Sequence, residues 1–276
     1  MQVHALQTGL LTVKRNYVTA KGGNRLMRLT SSLLDNKFID IPVYVWVIEH
    51  PEGVIVIDVG DTAQANAPGF FPVIERPYWR SQYRFKIQPQ QEIGAQLAAL
   101  GIPPEDVRFV VLTHAHFDHT GALYAFPNAR FIISAKEWQD VLRYRSAHFA
   151  LPSKYPVWFK PESIAYVPAA VGPFEQSYPL TKAGDVSIIP TPGHTLGHQS
   201  VILQDATDTL FFAGDTSFDQ ESLLNGIIDA PAFNAQVLRH TRQRILDYAR
   251  DTRLIYLPTH DHHTGERLAQ RTALTS

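Results

Sequence analysis

The sequence contains no cysteine, which excludes disulfide scaffolds, thiolate metal sites and cysteine nucleophiles. An excess of one charge is also lacking, because 25 Lys and Arg face 26 Asp and Glu and leave a net charge of −1 at pH 7. A chain this neutral lacks the basic surface with which proteins hold nucleic acid, so we expect no nucleic-acid partner. Long apolar runs are missing too, and stretches such as residues 43–48 fall far below the roughly 20 residues of a membrane span. We therefore expect no membrane partner.

The composition predicts one folded domain. Hydrophobic residues make up 45% of the chain and charged residues 18%, as in ordinary globular proteins. No repeat, low-complexity stretch or Gly/Ser linker divides the 276 residues, so we expect a single domain over residues 1–276. The first residues, MQVHALQTGLLTVKRN, lack the charged and apolar regions of a secretory signal, and we expect a cytoplasmic protein.

Strand-like and helix-like segments alternate in two rough halves. Residues 42–59 predict two buried strands around the turn Pro51-Glu52-Gly53. Further short strands are expected at residues 109–112, 131–133, 186–189, 200–203, 210–212 and 254–257, and helices at residues 89–100, 136–145 and 234–250. In the last helix, Leu238 and Ile245 are expected to face the core, and Arg239, Arg242 and Arg250 the solvent. This alternation predicts a layered α/β domain with buried sheets and outer helices.

A dense group of polar residues follows the strand at residues 109–112, in the string Thr113-His114-Ala115-His116-Phe117-Asp118-His119. On an irregular turn, alternate side chains can converge, and imidazoles and carboxylates are good ligands for zinc-like cations. The alternative is a histidine cluster that is satisfied by the core or by solvent. Burying these polar groups without a cation would be costly, so we favour a metal site.

Three later strands end in the same kind of residue. His194 follows Thr191-Pro192-Gly193, Asp215 follows Ala213-Gly214, and His260 follows Pro258-Thr259. Each is weak evidence by itself. Together they place metal-ligand side chains at four strand ends, which is where open α/β sheets carry their sites.

These residues resemble the signature of the metallo-β-lactamase superfamily, HxHxDH followed by a later His, Asp and His. The resemblance covers roughly residues 40–262 and implies an αββα sandwich: two buried β-sheets with outer helices. It also implies two divalent metal ions, most simply Zn²⁺. The implied ligands of the first ion are His114, His116 and His194; those of the second are Asp118, His119 and His260; and Asp215 bridges the two.

The same resemblance assigns supporting roles and excludes some branches. Asp58, in Ile57-Asp58-Val59-Gly60, matches an early Asp that supports the site, and His198 is interpreted as a supporting residue rather than a ligand. The redox di-iron branch has a carboxylate where this chain has His116, which favours a hydrolytic centre. Nucleic-acid-processing branches carry extra domains and basic surfaces, and glyoxalase II has a basic C-terminal region; this chain lacks these features.

The chain is most similar to the N-acyl-homoserine lactonase group, through HxHFDH and the string TPGHTLGHQS at residues 191–200. The implied activity is opening of a lactone ring, a quorum-quenching reaction. That group has a Tyr three residues after the bridging Asp, where this chain has Phe218. We assign Phe218 to the substrate pocket, with simple wall packing as the alternative.

The implied mechanism is attack of a metal-bridging hydroxide on the ring carbonyl, with Asp118 as the catalytic residue that accepts or passes a proton. Because Phe218 offers no phenol, we expect a bound water or Asp118 to protonate the leaving alkoxide. The same centre could instead hydrolyse an organophosphate triester or another ester. Hydrolysis of a β-lactam and a non-catalytic sensing role are weaker alternatives.

Two aromatic segments, residues 68–85 and 149–179, fit the alternation poorly and are long for plain connections. We expect the earlier segment to form a lid and a contact between two subunits of a homodimer, and the later segment to cover the site. Both would line an apolar channel, so the expected substrate is a small molecule with an apolar portion. The competing interpretation is that these aromatic residues bury only a subunit interface.

Overall fold

Two β-sheets form the centre of the protein, seen in a computed structural model that describes residues 1–71, 73, 76–144 and 149–275. The first sheet has the strand order β4-β1-β2-β3-β5-β6-β7 and the second the order β12-β11-β10-β9-β8. The strands are β1 (Gln2–Lys14), β2 (Phe38–Glu49), β3 (Ile55–Ile57), β4 (Tyr83–Lys86), β5 (Phe109–Val111), β6 (Arg130–Ser134), β7 (Glu162–Ile164), β8 (Tyr178–Pro179), β9 (Val186–Pro190), β10 (Gln199–Asp205), β11 (Asp208–Gly214) and β12 (Leu254–Pro258).

Nine α-helices occur among the described residues. They are α1 (Arg15–Val18), α2 (Arg25–Leu33), α3 (Arg76–Gln82), α4 (Ile93–Ala99), α5 (Phe117–Thr120), α6 (Ala135–Tyr144), α7 (Gln220–Leu224), α8 (Ala235–Asp251) and α9 (Thr264–Gln270). Among the described residues, no helix combines the length and the apolar character that a membrane crossing needs.

The two sheets pack face to face over one apolar core. Trp46 of β2 and Phe212 of β11 meet across it, with ring centroids 5.5 Å apart. On the outer side of the first sheet, Leu97 of α4 packs in a second cluster, and Ile245 of α8 does the same outside the second sheet. Helix, sheet, sheet and helix therefore follow in layers, which confirms the predicted αββα sandwich.

Parallel pairing brings the carboxyl ends of neighbouring strands together. Strands β3 and β5 run parallel with Ile57 opposite Val111, and β11 and β12 run parallel with Phe212 opposite Leu257. The residues that follow each strand therefore emerge at the same edge of their sheet. The predicted hairpin is also present, with Gly53 in the turn at a φ of +117°, a conformation that favours glycine.

The sequence does not predict the N-terminal strand β1, although this strand has 13 residues and pairs with both β2 and β4. Its pairing with β2 shifts register between Gln7 and Leu10, around Gly9 at a φ of +147°. This irregularity interrupts the alternation of apolar and polar residues on which strand prediction depends. The strands and helices that the sequence does predict are present, with ends shifted by a few residues. In the predicted helix at residues 136–145, Arg145 lies outside the described residues.

The prediction that Arg242 faces solvent is wrong. Its side chain is 3% exposed, and its guanidinium donates to the carbonyl oxygens of Thr216 and Ile227. It also lies 3.6 Å from a carboxylate oxygen of Asp229. Helical periodicity places Arg242 near the edge of the apolar face. The partners that draw it inward come from two other segments of the chain, which no helical pattern reveals.

We expect Arg242→Met to lower the free energy of unfolding by about 2–3 kcal/mol, because two buried carbonyls and a buried carboxylate lose their cationic partner. Urea titration of the metal-free protein measures this loss. The matched control is Arg239→Met, which removes an exposed arginine from the same helix and should change stability by less than about 0.5 kcal/mol. Equal stability of the two variants would contradict the structural role of Arg242.

Candidate metal centre

Four strand ends bring all seven predicted metal ligands to one place. They form two groups, and within each group the potential ligand atoms lie within 4.8 Å of one another. The first group is His114, His116, His194 and Asp215, and the second is Asp118, His119 and His260. None of the seven is more than 6% exposed. The resemblance implied the same two sets of three ligands, with Asp215 as a bridge between them rather than a member of the first group.

Asp215 lies between the two groups. Its Oδ1 is 3.4 Å from Nε2 of His119 and 3.4 Å from Nε2 of His260. Its Oδ2 is 3.3 Å from Nε2 of His194 and 3.9 Å from Nε2 of His114. One carboxylate oxygen therefore faces each group, which is the geometry that a bridging ligand requires.

Two histidines and the aspartate between the groups have the protonation states that metal binding requires. Burial lowers the pKa of both His114 and His116 well below its usual value, so both rings are neutral and can act as ligands. Burial would raise the pKa of Asp215, but the neighbouring His260 and His119 hold it well below its usual value. Asp215 is therefore a carboxylate. Burial would likewise lower the pKa of His119, but the charge of Asp215 and other carboxylates raises it well above the usual value.

Several buried atoms at the centre have no hydrogen-bond partner within the protein. They are Nε2 of His114, Nε2 of His119 and Oδ1 of Asp215. A buried polar atom without a partner is costly, and these three are atoms that bind metal ions well. The donor set therefore fits a pair of divalent cations.

Asp58 fixes the loop that carries the HxHxDH string. Its carboxylate accepts hydrogen bonds from the backbone N–H of Thr113 at 2.7 Å and from the hydroxyl of Thr113 at 2.8 Å. The other ring nitrogen of His119, Nδ1, lies 2.7 Å from the same carboxylate. Such outer contacts orient a histidine ligand and increase its basicity. The structure thus gives Asp58 the supporting contacts that the sequence predicted.

His198 also has a supporting position. Its Nε2 accepts the backbone N–H of Asp215 at 3.0 Å, so Nδ1 carries the ring proton and donates to the hydroxyl of Thr191 at 2.9 Å. Burial lowers the pKa of His198 to about 3, and the ring is neutral. Because both ring nitrogens are occupied, His198 holds the backbone of Asp215 in place and lies outside both ligand groups.

Sequence reasoning missed Asp229, whose carboxylate lies 3.1 Å from Nδ1 of His194. Asp229 is 1% exposed and belongs to the irregular segment between α7 and α8, where no motif or spacing marks it. It also accepts the backbone N–H of Ala232 at 2.8 Å. Asp229 therefore joins this segment to the first ligand group.

We expect Asp229→Asn to weaken metal binding about 10- to 100-fold, because the neutral amide no longer supports His194 with a charge. Competition with a chelating dye measures this affinity without any substrate. Asp247→Asn, an exposed change on α8, is the matched control and should leave the affinity unaltered. Wild-type affinity in Asp229→Asn would show that the contact has no influence on the centre.

A cavity of about 620 Å³ opens beside His260 and Phe218. Its lining is mixed rather than purely apolar. Val18, Ile39, Ile41 and Leu224 lie beside Asp40, Asp219, Glu221 and His262. A cavity of this size suits a small molecule that has both an apolar part and a polar part.

The two aromatic segments have different positions. In the earlier one, Trp79 packs edge-on against Phe117, which directly precedes Asp118, at 4.8 Å. In the later one, Phe149 lies 5.5 Å from the ring of His116, as expected of a segment that covers the site. The expectation is wrong for Phe159, which packs in the core beneath α6, and for Tyr166, which donates to Gln199 between the sheets.

Residues 39–260 match the model of the metallo-β-lactamase superfamily. The chain belongs to this superfamily. The match covers most of the chain and confirms the resemblance that the HxHxDH string and the later His, Asp and His carry. The chain is therefore a member of a superfamily of hydrolases.

Within the superfamily, similarity extends to lactonases. An N-acyl homoserine lactonase of a Bacillus species is 26% identical over 261 residues, which cover 91% of this chain and 94% of the relative. Among solved structures, an N-acyl homoserine lactone hydrolase with the product N-hexanoyl-L-homoserine bound at its catalytic metal centre superposes with a TM-score of 0.76 at 22% identity, covering 96% and 94% of the two chains. AidC, a dizinc quorum-quenching lactonase in complex with a product, gives 0.66 at 16% identity, covering 95% and 88%.

Proposed function

We propose that this chain is a hydrolase with two divalent metal ions, most simply zinc, that opens the ring of an N-acyl homoserine lactone or a similar lactone. The position of Asp215 supports the dinuclear centre most strongly, because its two carboxylate oxygens face different ligand groups. The curated lactonase relative, which matches over 91% of the chain, supports the reaction. Quorum quenching would be the consequence of this activity.

Bound divalent ions supply the Lewis acidity that makes a water nucleophilic near neutral pH and polarises the bond under attack. His114, His116 and His194 would hold one ion, Asp118, His119 and His260 the other, and Asp215 both. Asp118 would also act as the proton carrier: one of its carboxylate oxygens would hold a proton and pass it to the leaving oxygen. The burial of Asp118, which is 6% exposed, keeps this exchange away from bulk solvent.

The cavity beside His260 supports the proposed substrate class. Its apolar side chains suit an acyl chain, and its polar side chains suit the amide that joins the chain to the lactone ring. The substrate is then a small molecule with an apolar portion. The cytoplasmic location and the homodimer stay predictions from the sequence.

Hydrolysis of an organophosphate triester or another ester is the second candidate, and Phe218 is the observation that favours it. The ring of Phe218 lies 4.9 Å from that of His260, so the residue lines the site without offering a hydroxyl at that position. A substrate with a good leaving group has less need of such a donor.

The test compares N-hexanoyl homoserine lactone, an aryl ester and a phosphotriester as substrates of the zinc-loaded protein. We expect kcat/KM for the lactone to exceed the other two by at least about tenfold, a difference of about 1.4 kcal/mol in barrier height. His116→Ala is the control for a contaminating hydrolase. A preference for the phosphotriester or the aryl ester would overturn the lactonase assignment while leaving the metal centre in place.

A further inference from the structure

The short helix α1 fixes Tyr17 beside the candidate centre. The backbone carbonyl of Tyr17 accepts the N–H of Ala230 at 2.8 Å, and the N–H of Ala20 donates to the carbonyl of Ile228 at 3.1 Å. These contacts bracket Asp229, whose side chain contacts His194. The segment that supports one candidate ligand therefore also holds the backbone of Tyr17.

The ring of Phe218 lies between the ring of Tyr17 and two candidate ligands. The ring of Tyr17 stacks on Phe218 with centroids 5.8 Å apart and an interplanar angle of 29°. Phe218 in turn lies 4.9 Å from the ring of His260 and 6.1 Å from the ring of His194. Tyr83 packs edge-on against Tyr17 at 5.5 Å and restricts it from another side. The phenol of Tyr17 is thus held in one orientation before substrate arrives.

The hydroxyl of Tyr17 keeps its proton. Burial raises the pKa of Tyr17 well above its usual value, and the negative charges of Asp118 and Asp215 raise it further, against a smaller lowering by the side chain of Tyr83. Those two carboxylates belong to the two different ligand groups. The hydroxyl is therefore a neutral donor within the electrostatic field of both groups.

We propose that the hydroxyl of Tyr17 donates a hydrogen bond to an ester oxygen of the bound substrate and so supplies, from α1, the phenol that this chain lacks at Phe218. This inference rests on the proposed function, since it needs an ester substrate at the centre. No bond is made or broken at Tyr17, and Asp118 still passes the proton to the leaving oxygen. The hydrogen bond orients the substrate and strengthens as negative charge develops on the oxygen.

The test compares wild type, Tyr17→Phe, Phe218→Tyr and the double variant Tyr17→Phe/Phe218→Tyr, all loaded with zinc. Tyr17→Phe retains the ring that stacks on Phe218, so metal content and the melting temperature should not change. We expect kcat/KM for N-hexanoyl homoserine lactone to fall about 10- to 100-fold in Tyr17→Phe. The double variant should recover at least tenfold of that loss, because a phenol returns to the site. Tyr248→Phe is the matched control and should match wild type, since Tyr248 is an equally buried phenol of α8 that packs outside the second sheet.

A second readout is the affinity for N-hexanoyl-L-homoserine, the ring-opened molecule, measured by calorimetry on the same zinc-loaded proteins. Tyr17→Phe should bind it about tenfold more weakly than wild type. Equal binding by the two proteins, including no binding by either, would overturn the role of Tyr17. So would wild-type turnover in Tyr17→Phe, a loss of the same size in Tyr248→Phe, or no recovery in the double variant.

The two proposals fail in different measurements. If wild type prefers a phosphotriester or an aryl ester, the lactonase assignment fails, and the ratios between variants are then taken on the substrate that wild type hydrolyses fastest. The role of Tyr17 is then judged on that substrate by the outcomes given above, and it fails if Tyr17→Phe equals wild type there.

Discussion

Asp215→Ala is expected to remove metal from both halves of the centre and to reduce lactone hydrolysis at least about a hundredfold. The two carboxylate oxygens of Asp215 face the two ligand groups, at 3.3 Å from His194 and 3.4 Å from His119. Its loss leaves each cation with one ligand fewer and removes the charge that offsets two cations in a buried site. Elemental analysis after dialysis, with an initial-rate assay on the same sample, measures both effects.

The control for Asp215→Ala is Asp205→Ala, a change on the hairpin formed by β10 and β11, where Asp205 pairs with Arg271 far from the centre. This variant should keep full metal content and turnover. An Asp215→Ala protein that retains two metal ions per chain and the wild-type rate would refute the bridging role.

The second large effect is expected in Asp58→Ala, which should lower the free energy of unfolding by about 3–5 kcal/mol. Three donors would be left in a buried region without their acceptor: the N–H and hydroxyl of Thr113, and Nδ1–H of His119. Asp58 also has a φ of +60°, a left-handed conformation that aspartate tolerates better than alanine. Urea titration of the metal-free protein measures the loss.

Asp58→Asn separates the two contributions of Asp58. Asparagine tolerates the left-handed conformation and keeps one acceptor oxygen, so its loss should be about half that of alanine. If Asp58→Ala unfolds within about 1 kcal/mol of wild type, the network around Thr113 is not what fixes the HxHxDH loop.

Much of the central fold could be predicted from local patterns. The strands β5, β9, β11 and β12 are short apolar runs that end in turn residues or in polar ligands, and both signals are visible in the sequence. The strand β1 could not be predicted, because the register shift near Gly9 breaks its alternation. The inward position of Arg242 could not be predicted either, since its partners lie on other segments of the chain.

The candidate ligands were predictable because each follows a recognisable strand, and the parallel pairs β3–β5 and β11–β12 bring those strand ends together. The contacts behind them were predictable only where a motif carried them, as for Asp58. Asp229 and Tyr17 lie in segments without a motif, and these two segments, between α7 and α8 and in α1, pack against each other. Long-range contacts of this kind leave no periodic trace in a single sequence.

The measurement that tests the central claim most directly is the number of metal ions bound per chain, determined by elemental analysis after zinc loading and dialysis. The structure predicts two ions per chain in wild type and fewer in His116→Ala, because both ligand groups are buried and contain atoms that lack a partner within the protein. A wild-type protein that binds no metal, or a His116→Ala protein that binds two ions as tightly as wild type, would contradict the dinuclear centre.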